Sequence, residues 1–235
     1  MFKAVFFDWF NTLAVYYPPR EELQSQAIRE FGFNVSAEQV KPALLYADKL
    51  VFDENAKYPM RLRSKEDQNE VYVRYETLLL RNVGIDLTDE VSTVAKIFKR
   101  AEELYSNIGF ALYDDVVPVM KKLREKDLKI GLITNLEIDM KPVCSKLGLD
   151  PYLDFIVTSG EAGSDKPQPE IFLLALKKAG VESSEAIHVG DQYKIDAVGA
   201  MGAGIKPVII DRYDMYPEIT DCPRIKTLDE LFSYI

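Results

Sequence analysis

The chain is poor in the residues that build staples, switches and membrane spans. Its 235 residues include two cysteines, one histidine and one tryptophan. Cys144 and Cys222 form no CxxC pair and no metal-binding spacing. That excludes a disulfide framework or a zinc module as the basis of the fold, and a reducing cytoplasm is the expected compartment. No apolar run approaches the ~18 residues of a membrane span. AVFF near the N-terminus is cut off by Asp8, which does not suit a secretion signal. No Lys/Arg cluster marks a nucleic-acid footprint. The expectation is a protein that engages neither nucleic acid nor membrane. The net charge is -9 and the pI about 4.8. Such a chain repels anions, so any anion site must carry its own local positive charge.

Hydrophobic residues make up 47% of the chain, enough for one sizeable domain or a core domain plus a smaller one. Short apolar runs recur at Ala4–Phe7, Lys129–Ile133, Phe155–Thr158, Ala186–Val189 and Pro207–Ile210. They lack strict alternation, which is the pattern of strands buried on both faces of a parallel sheet. Helical patterns separate the later runs: Val116–Lys126, Lys141–Leu147, Pro169–Ala179 and Ile195–Met201, three of them followed by a glycine. Alternation of this kind specifies an α/β fold.

Residues 16–107 break the rhythm. They carry four helical stretches, Arg20–Phe31, Ala37–Asn55, Glu66–Arg81 and Asp89–Asn107, and no convincing strand. Ser36 with Gln39 makes a capping-box pattern, and Ser64 and Thr88 precede the third and fourth stretches. Short loops between such helices predict an antiparallel bundle. The expected organisation is an α/β core domain from 1–15 and 108–235, interrupted by a helical domain at 16–107.

Polar residues stand at four strand ends: Asp8 with Thr12, Thr134 with Asn135, Lys166 in SDKPQPEIF, and Asp191 with Asp196 in GDQYKID. Each taken singly reads as a helix cap or a surface charge. Together, in this order and after buried strands, they are more specific. FFDWFNTL, LITN, the lysine of DKPQPEIF and GDQYKID resemble the four motifs of the haloacid dehalogenase superfamily. The resemblance covers nearly the whole chain, and the helical insertion is similar to the bundle cap of one subgroup. It implies a doubly wound, Rossmann-like parallel sheet in the order 5-4-1-2-3. It also implies that two crossings near Ala14–Pro18 and Asn107–Tyr113 act as hinges of the cap.

The resemblance further implies roles. Asp8 matches the nucleophile, which forms a covalent ester and splits one difficult step into two. Asp8, the backbone carbonyl of Phe10 and Asp191 would hold Mg²⁺. Thr134 and Asn135 would bind a phosphoryl group, and Lys166 would add fixed positive charge. Asp196 would orient Lys166 or a metal-bound water. Trp9 and Phe10 are further candidates for substrate contact. Asn11 stands where the family usually has Gly, at a position asparagine tolerates if φ is positive.

One departure decides the readings. The family's phosphatases carry an acid two residues after the nucleophile, and this chain has Phe10. The first reading is a Mg²⁺-dependent phosphatase of a small phosphorylated metabolite. Tyr16, Tyr17 or Lys57 are candidates for the missing acid. The second is a metal-independent 2-haloacid dehalogenase, in which halide leaves without protonation. It would need an arginine for the substrate carboxylate, with Arg20, Arg61 and Arg63 as candidates. The third is a non-catalytic metal- or phosphate-binding relic. His188 lies in a buried strand and reads as a core residue facing away from the strand tip. Tyr213 and Tyr216 read as surface or oligomer contacts.

Overall fold

The computed structural model of the chain describes residues 1–106 and 108–235. Two compact units emerge: Met1–Val15 with Ala111–Ile235, and Tyr16–Phe110. Asn107, expected to end the fourth helical stretch and to begin the second hinge, lies outside the described residues. The described strands are β1 (Ala4–Phe7), β2 (Ala14–Tyr17), β3 (Gly109–Leu112), β4 (Lys129–Thr134), β5 (Phe155–Thr158), β6 (Ala186–Gly190), β7 (Lys206–Ile210) and β8 (Arg224–Ile225).

Six of these strands form one sheet in the order β5-β4-β1-β6-β7-β8, and every pairing is parallel. All residues of β1 and β6 are buried, as expected of strands covered on both faces. Covering helices are α5 (Val116–Glu125), α6 (Lys141–Lys146), α7 (Ser159–Ala162), α8 (Pro169–Ala179) and α9 (Val198–Gly202), numbered after four helices of the other unit. On α8, Pro169 sits in the first turn and Gly180 closes the helix at φ 68°. Ile171, Phe172 and Ala175 of α8 pack with Phe6, Ile133 and Val157 of the sheet. The five expected strands take the 5-4-1-2-3 order. β8 and a 3₁₀ helix at Leu228–Ser233 extend the unit beyond it. Both are too short to leave a periodic signal in sequence.

The second unit contains α1 (Arg20–Glu30), α2 (Ala37–Lys57), a 3₁₀ turn (Met60–Leu62), α3 (Lys65–Asn82) and α4 (Val91–Tyr105). The Ser36–Gln39 capping box is formed, with bonds of 2.9 and 3.4 Å. The Ser64 cap is also formed. Thr88 departs from expectation. Its N–H and hydroxyl both bond Asp86 in a local turn, and α4 begins at Val91. Ile28, Val40, Leu44, Leu79, Leu80, Val94 and Ile97 make a separate apolar core. The chain enters and leaves through β2 and β3, which form a two-stranded sheet of their own. Strand residues Tyr16 and Tyr17 therefore stand where the sequence showed none. Among the described residues no helix is long and apolar enough to cross a membrane.

A polar network lies inside this bundle. Arg20 pairs with Asp48 at 2.6 Å, and the Tyr75 hydroxyl bonds Asp48 at 3.3 Å. Tyr105 donates to Gln24 at 2.7 Å, and Gln24 donates to Glu76 Oε1 at 2.8 Å. Glu76 has no exposed surface, and its Oε2 has no hydrogen-bond partner. Burial pushes its carboxyl up to about 8, against the pull of the Gln24 bond. The folded state keeps a proton that the unfolded chain releases near pH 4.5. Stability from this group is therefore complete below that pH and is lost as pH rises toward 8. Glu76→Gln keeps an acceptor for Gln24 and cannot ionise. It should stabilise the protein by on the order of 3 kcal/mol at pH 8 and by little at pH 4.5. Calorimetry at both pH values checks this, and an equal gain at the two would remove the buried carboxyl as its cause.

Candidate active site

Parallel strands deliver their C-terminal ends to one edge, and a crevice opens where the winding direction reverses. That point is β1. Phe7 lies opposite Leu132 of β4 and Val189 of β6. Asp8 is the next residue, and its N–H donates to the Val189 carbonyl at 2.8 Å. Asp191 follows β6, Thr134 ends β4, and Lys166 comes from the loop between α7 and α8. The sequence-predicted residues Asp8, Thr134, Lys166, Asp191 and Asp196 thus share one edge, and all are buried.

Lys166 Nζ lies 2.5 Å from Asp8 Oδ1 and 2.7 Å from Asp196 Oδ1. The Thr12 hydroxyl donates to Asp8 Oδ2 at 3.4 Å. Asn11 Nδ2 donates to Asp191 Oδ2 at 3.2 Å. Thr134 accepts the Leu136 N–H at 3.3 Å, which leaves its hydroxyl hydrogen as a donor. Asp8, Asp191 and Asp196 each offer a carboxylate oxygen, and the three atoms lie within 4.8 Å of one another.

A supporting layer fixes this geometry. Asp196 lies on a π-helical turn, Tyr193–Ala197, where a regular helix was expected. The wider turn is common at functional sites. Its carboxylate folds back so that Oδ2 accepts the Gln192 N–H at 3.0 Å. A Cβ on Gly190 would come within 2.2 Å of the Asp196 carboxyl carbon, so only glycine admits it. A Cβ on Gly199 would meet the Pro167 backbone at 2.9 Å, so glycine also lets the lysine loop approach. Asn135, expected at the substrate, is spent on that loop instead. Its Oδ1 accepts the Lys166 N–H at 2.7 Å, and its Nδ2 donates to the Lys166 carbonyl at 3.0 Å.

His188 is buried as expected but is not a bystander, because its Nε2 bonds Asp196 Oδ1 at 3.0 Å. The signal was present: a polar ring inside a buried strand must find a partner. Trp9, expected as a substrate contact, has no accessible surface and belongs to the core. Phe10 is half-buried and bridges to Ala14 in the turn after β1. Tyr213 is not a simple surface residue, since its hydroxyl lies 2.8 Å from that of Tyr113. Arg212, which sequence reading passed over, stacks on the Tyr113 ring at 3.9 Å. It pairs with Asp115 at 2.8 Å and donates to the Thr12 carbonyl at 2.9 Å, pinning the turn after β1.

The electrostatics follow from burial around one cation. Burial raises Asp8 above the usual carboxylate range, against the pull of Lys166. Asp191 is raised further, by burial and by the charges of Asp8 and Asp196. Burial would also raise Asp196, but Lys166 and His188 hold it below its usual range. Burial works against the Lys166 ammonium, yet Asp196 and Asp8 keep it charged. His188 is driven toward the neutral form, chiefly by burial. Asp191 Oδ1 is buried and has no hydrogen-bond partner. Such an atom normally has one. A carboxylate oxygen so placed, next to a second carboxylate, fits a hard divalent cation.

Comparison with known proteins agrees with the geometry. Residues 2–204 match the family model described as haloacid dehalogenase-like hydrolase. A glyceraldehyde 3-phosphate phosphatase of Methanopyrus kandleri is 31% identical over 94% of this chain and 90% of its own length. A solved HAD phosphatase of Thermococcus onnurineus is 25% identical with a TM-score of 0.58, covering 98% of this chain and 96% of that one. A solved 2-haloacid dehalogenase of Pseudomonas syringae pv. Tomato is 26% identical with a TM-score of 0.56, covering 99% and 97%. With the motifs, the sheet order and the buried Asp-Lys-Asp cluster in place, the chain belongs to the haloacid dehalogenase-like hydrolases.

Proposed function

We propose that this hydrolase is a Mg²⁺-dependent phosphatase that acts on a small phosphorylated metabolite through an aspartyl-phosphate on Asp8. The observation that carries the reading is the unpartnered, buried Asp191 Oδ1 beside Asp8. A metal-independent dehalogenase has no use for an extra buried carboxyl there, since its ionised form would oppose attack on an anionic substrate. A phosphatase uses it to hold a cation. The Methanopyrus kandleri relative makes a phosphorylated triose the first substrate to test.

The residues divide the chemistry. An Asp8 oxygen attacks phosphorus, the new Asp–O–P bond forms, and the bond to the leaving oxygen breaks. Lys166 offsets the charge that collects on the phosphoryl oxygens, and the Thr134 hydroxyl donates to one of them. Asp196 and His188 keep the ammonium aimed. Asp8, the Phe10 carbonyl and Asp191 would hold Mg²⁺, which supplies charge neutralisation when bound. Phe10 provides that carbonyl without a proton to give. The leaving oxygen therefore takes its proton from solvent. Water then cleaves the aspartyl-phosphate, releasing inorganic phosphate and restoring Asp8.

The dehalogenase reading keeps one observation in its favour, the aromatic Phe10. Two of its candidate arginines have other commitments: Arg20 pairs with Asp48, and Arg63 pairs with Glu54 at 3.0 Å and caps its carbonyl at 2.6 Å. A panel of phosphorylated metabolites and 2-haloacids, run with Mg²⁺ and with EDTA, separates the readings. Phosphate release that EDTA abolishes is the expected result, and Asp8→Asn should lower it roughly 10³-fold or more while the protein stays folded. Dehalogenation that survives EDTA would favour the second reading, and silence on the whole panel the non-catalytic one.

The missing acid makes a second prediction. p-Nitrophenyl phosphate, with a good leaving group, should turn over faster than an alkyl phosphate. Phe10→Asp should raise alkyl-phosphate turnover by up to ~10²-fold. Steady-state rates on both esters, with melting temperature measured alongside, check this. A folded, Mg²⁺-binding variant with no gain would mean that the side chain at this position does not limit the reaction.

A further inference from the structure

The turn after β1 is tight. The N–H groups of Leu13 and Ala14 both reach the Trp9 carbonyl, at 2.9 and 3.0 Å, and Asn11 donates to the Ala14 carbonyl at 2.7 Å. This geometry puts Asn11 at φ 58°. Glycine enters that left-handed region without cost. Asparagine tolerates it better than most residues, but still less well than glycine. On backbone grounds alone glycine would serve, so the side chain present here calls for a separate reason.

The reason is at the other end of the side chain. Asn11 Nδ2 reaches across to the loop after β6 and donates to Asp191 Oδ2 at 3.2 Å. Both residues are 7% exposed. The amide presents its nitrogen as the donor, the orientation that suits an ionised, cation-binding Asp191. Asp191 is therefore held by one oxygen only. Its Oδ1 stays buried without a partner and lies on the side of the carboxylate that Asn11 leaves open.

This asymmetry has a chemical meaning. Mg²⁺ is small, demands near-octahedral geometry and takes one oxygen from each carboxylate. Ca²⁺ is larger, accepts six to eight ligands and readily takes both oxygens of one carboxylate. A carboxylate with one oxygen tied to an amide is restricted to the first mode. We propose that Asn11 is a positioning residue that locks Asp191 into single-oxygen presentation and so makes the site select Mg²⁺ over Ca²⁺. The proposal rests on the reading that Asp8 and Asp191 hold the cation.

The test is calorimetric titration of Mg²⁺ and Ca²⁺, separately, into the full-length protein and two variants. Asn11→Gly suits the left-handed turn and removes only the amide. Asn11→Asp also tolerates that turn and replaces the donor by an acceptor, so it stands in if the glycine variant is unstable. Thermal melts confirm that each folds. Wild-type protein should bind Mg²⁺ in preference. Asn11→Gly should weaken Mg²⁺ by ~10-fold, the usual size of a change one shell out from a metal. Ca²⁺ binding should hold or tighten, so that the ratio of the two affinities falls. Asn11→Asp should move the ratio the same way. Equal losses for both ions, or no change in either, would overturn the proposal even though the wild-type protein binds Mg²⁺. A wild-type protein that binds no Mg²⁺ would overturn the metal reading itself and this inference with it.

Discussion

The Lys166 ammonium, 3% exposed and set between Asp8 and Asp196, is the constraint on which the rest of the site depends. A buried charge in a protein interior is costly unless it is paired and hydrogen-bonded, and removing one partner leaves the other uncompensated. The lysine therefore dictates the local architecture around it. Asn135 grips its backbone from both sides. Gly199 lets its loop close in, and Gly190 makes room for the carboxylate that answers it. His188 takes up the lone pair of Asp196 that faces the core. These residues are scattered along the sequence, yet each has its identity fixed by the same ion.

Charge explains the remaining asymmetry. Three aspartates face one ammonium, while the His188 ring is driven toward neutrality. Fully ionised, the cluster would carry a surplus of negative charge in a low-dielectric place, within a chain that is already acidic. Asp8 and Asp196 are paired to Lys166, so burial holds Asp191, the third carboxyl, toward its neutral form until positive charge is added beside it. An anionic substrate could approach only with added positive charge, and the orphaned Asp191 oxygen is where such charge would be most strongly held.

The fold was largely legible because its signals are short-range and repeated. Buried strands lacked alternation, and helices such as Pro169–Ala179 carried both a starting proline and a closing glycine. The residues on the strand tips were legible for a related reason: in a parallel sheet, the position just past a strand end fixes a side chain's location regardless of what lies between strands. The rest depended on three-dimensional neighbours. Nothing local in AIHVG says that His188 will meet Asp196, or that Trp9 will turn into the core while Phe10 stays half-buried. Thr88 looked like a helix cap, but Asp86, two residues earlier, offered its hydroxyl a competing partner. Asn135 and Thr134 are adjacent in sequence, and only the return of the lysine loop separates their tasks.

The paired strands β2 and β3 bear on how the sheet assembles. β1 must find β4, with Ala4 opposite Lys129, across the whole helical insertion. Closing a loop costs entropy that grows with its length, by roughly 0.6 kcal/mol for each doubling. The insertion has its own apolar core, and its two ends leave side by side through adjacent strands. Once that core has formed, the long excursion shrinks to a short connection, and β1 and β4 meet as though few residues lay between them. A domain planted in the middle of a sheet thus costs the sheet little in search entropy, provided that it folds first and returns the chain where it took it.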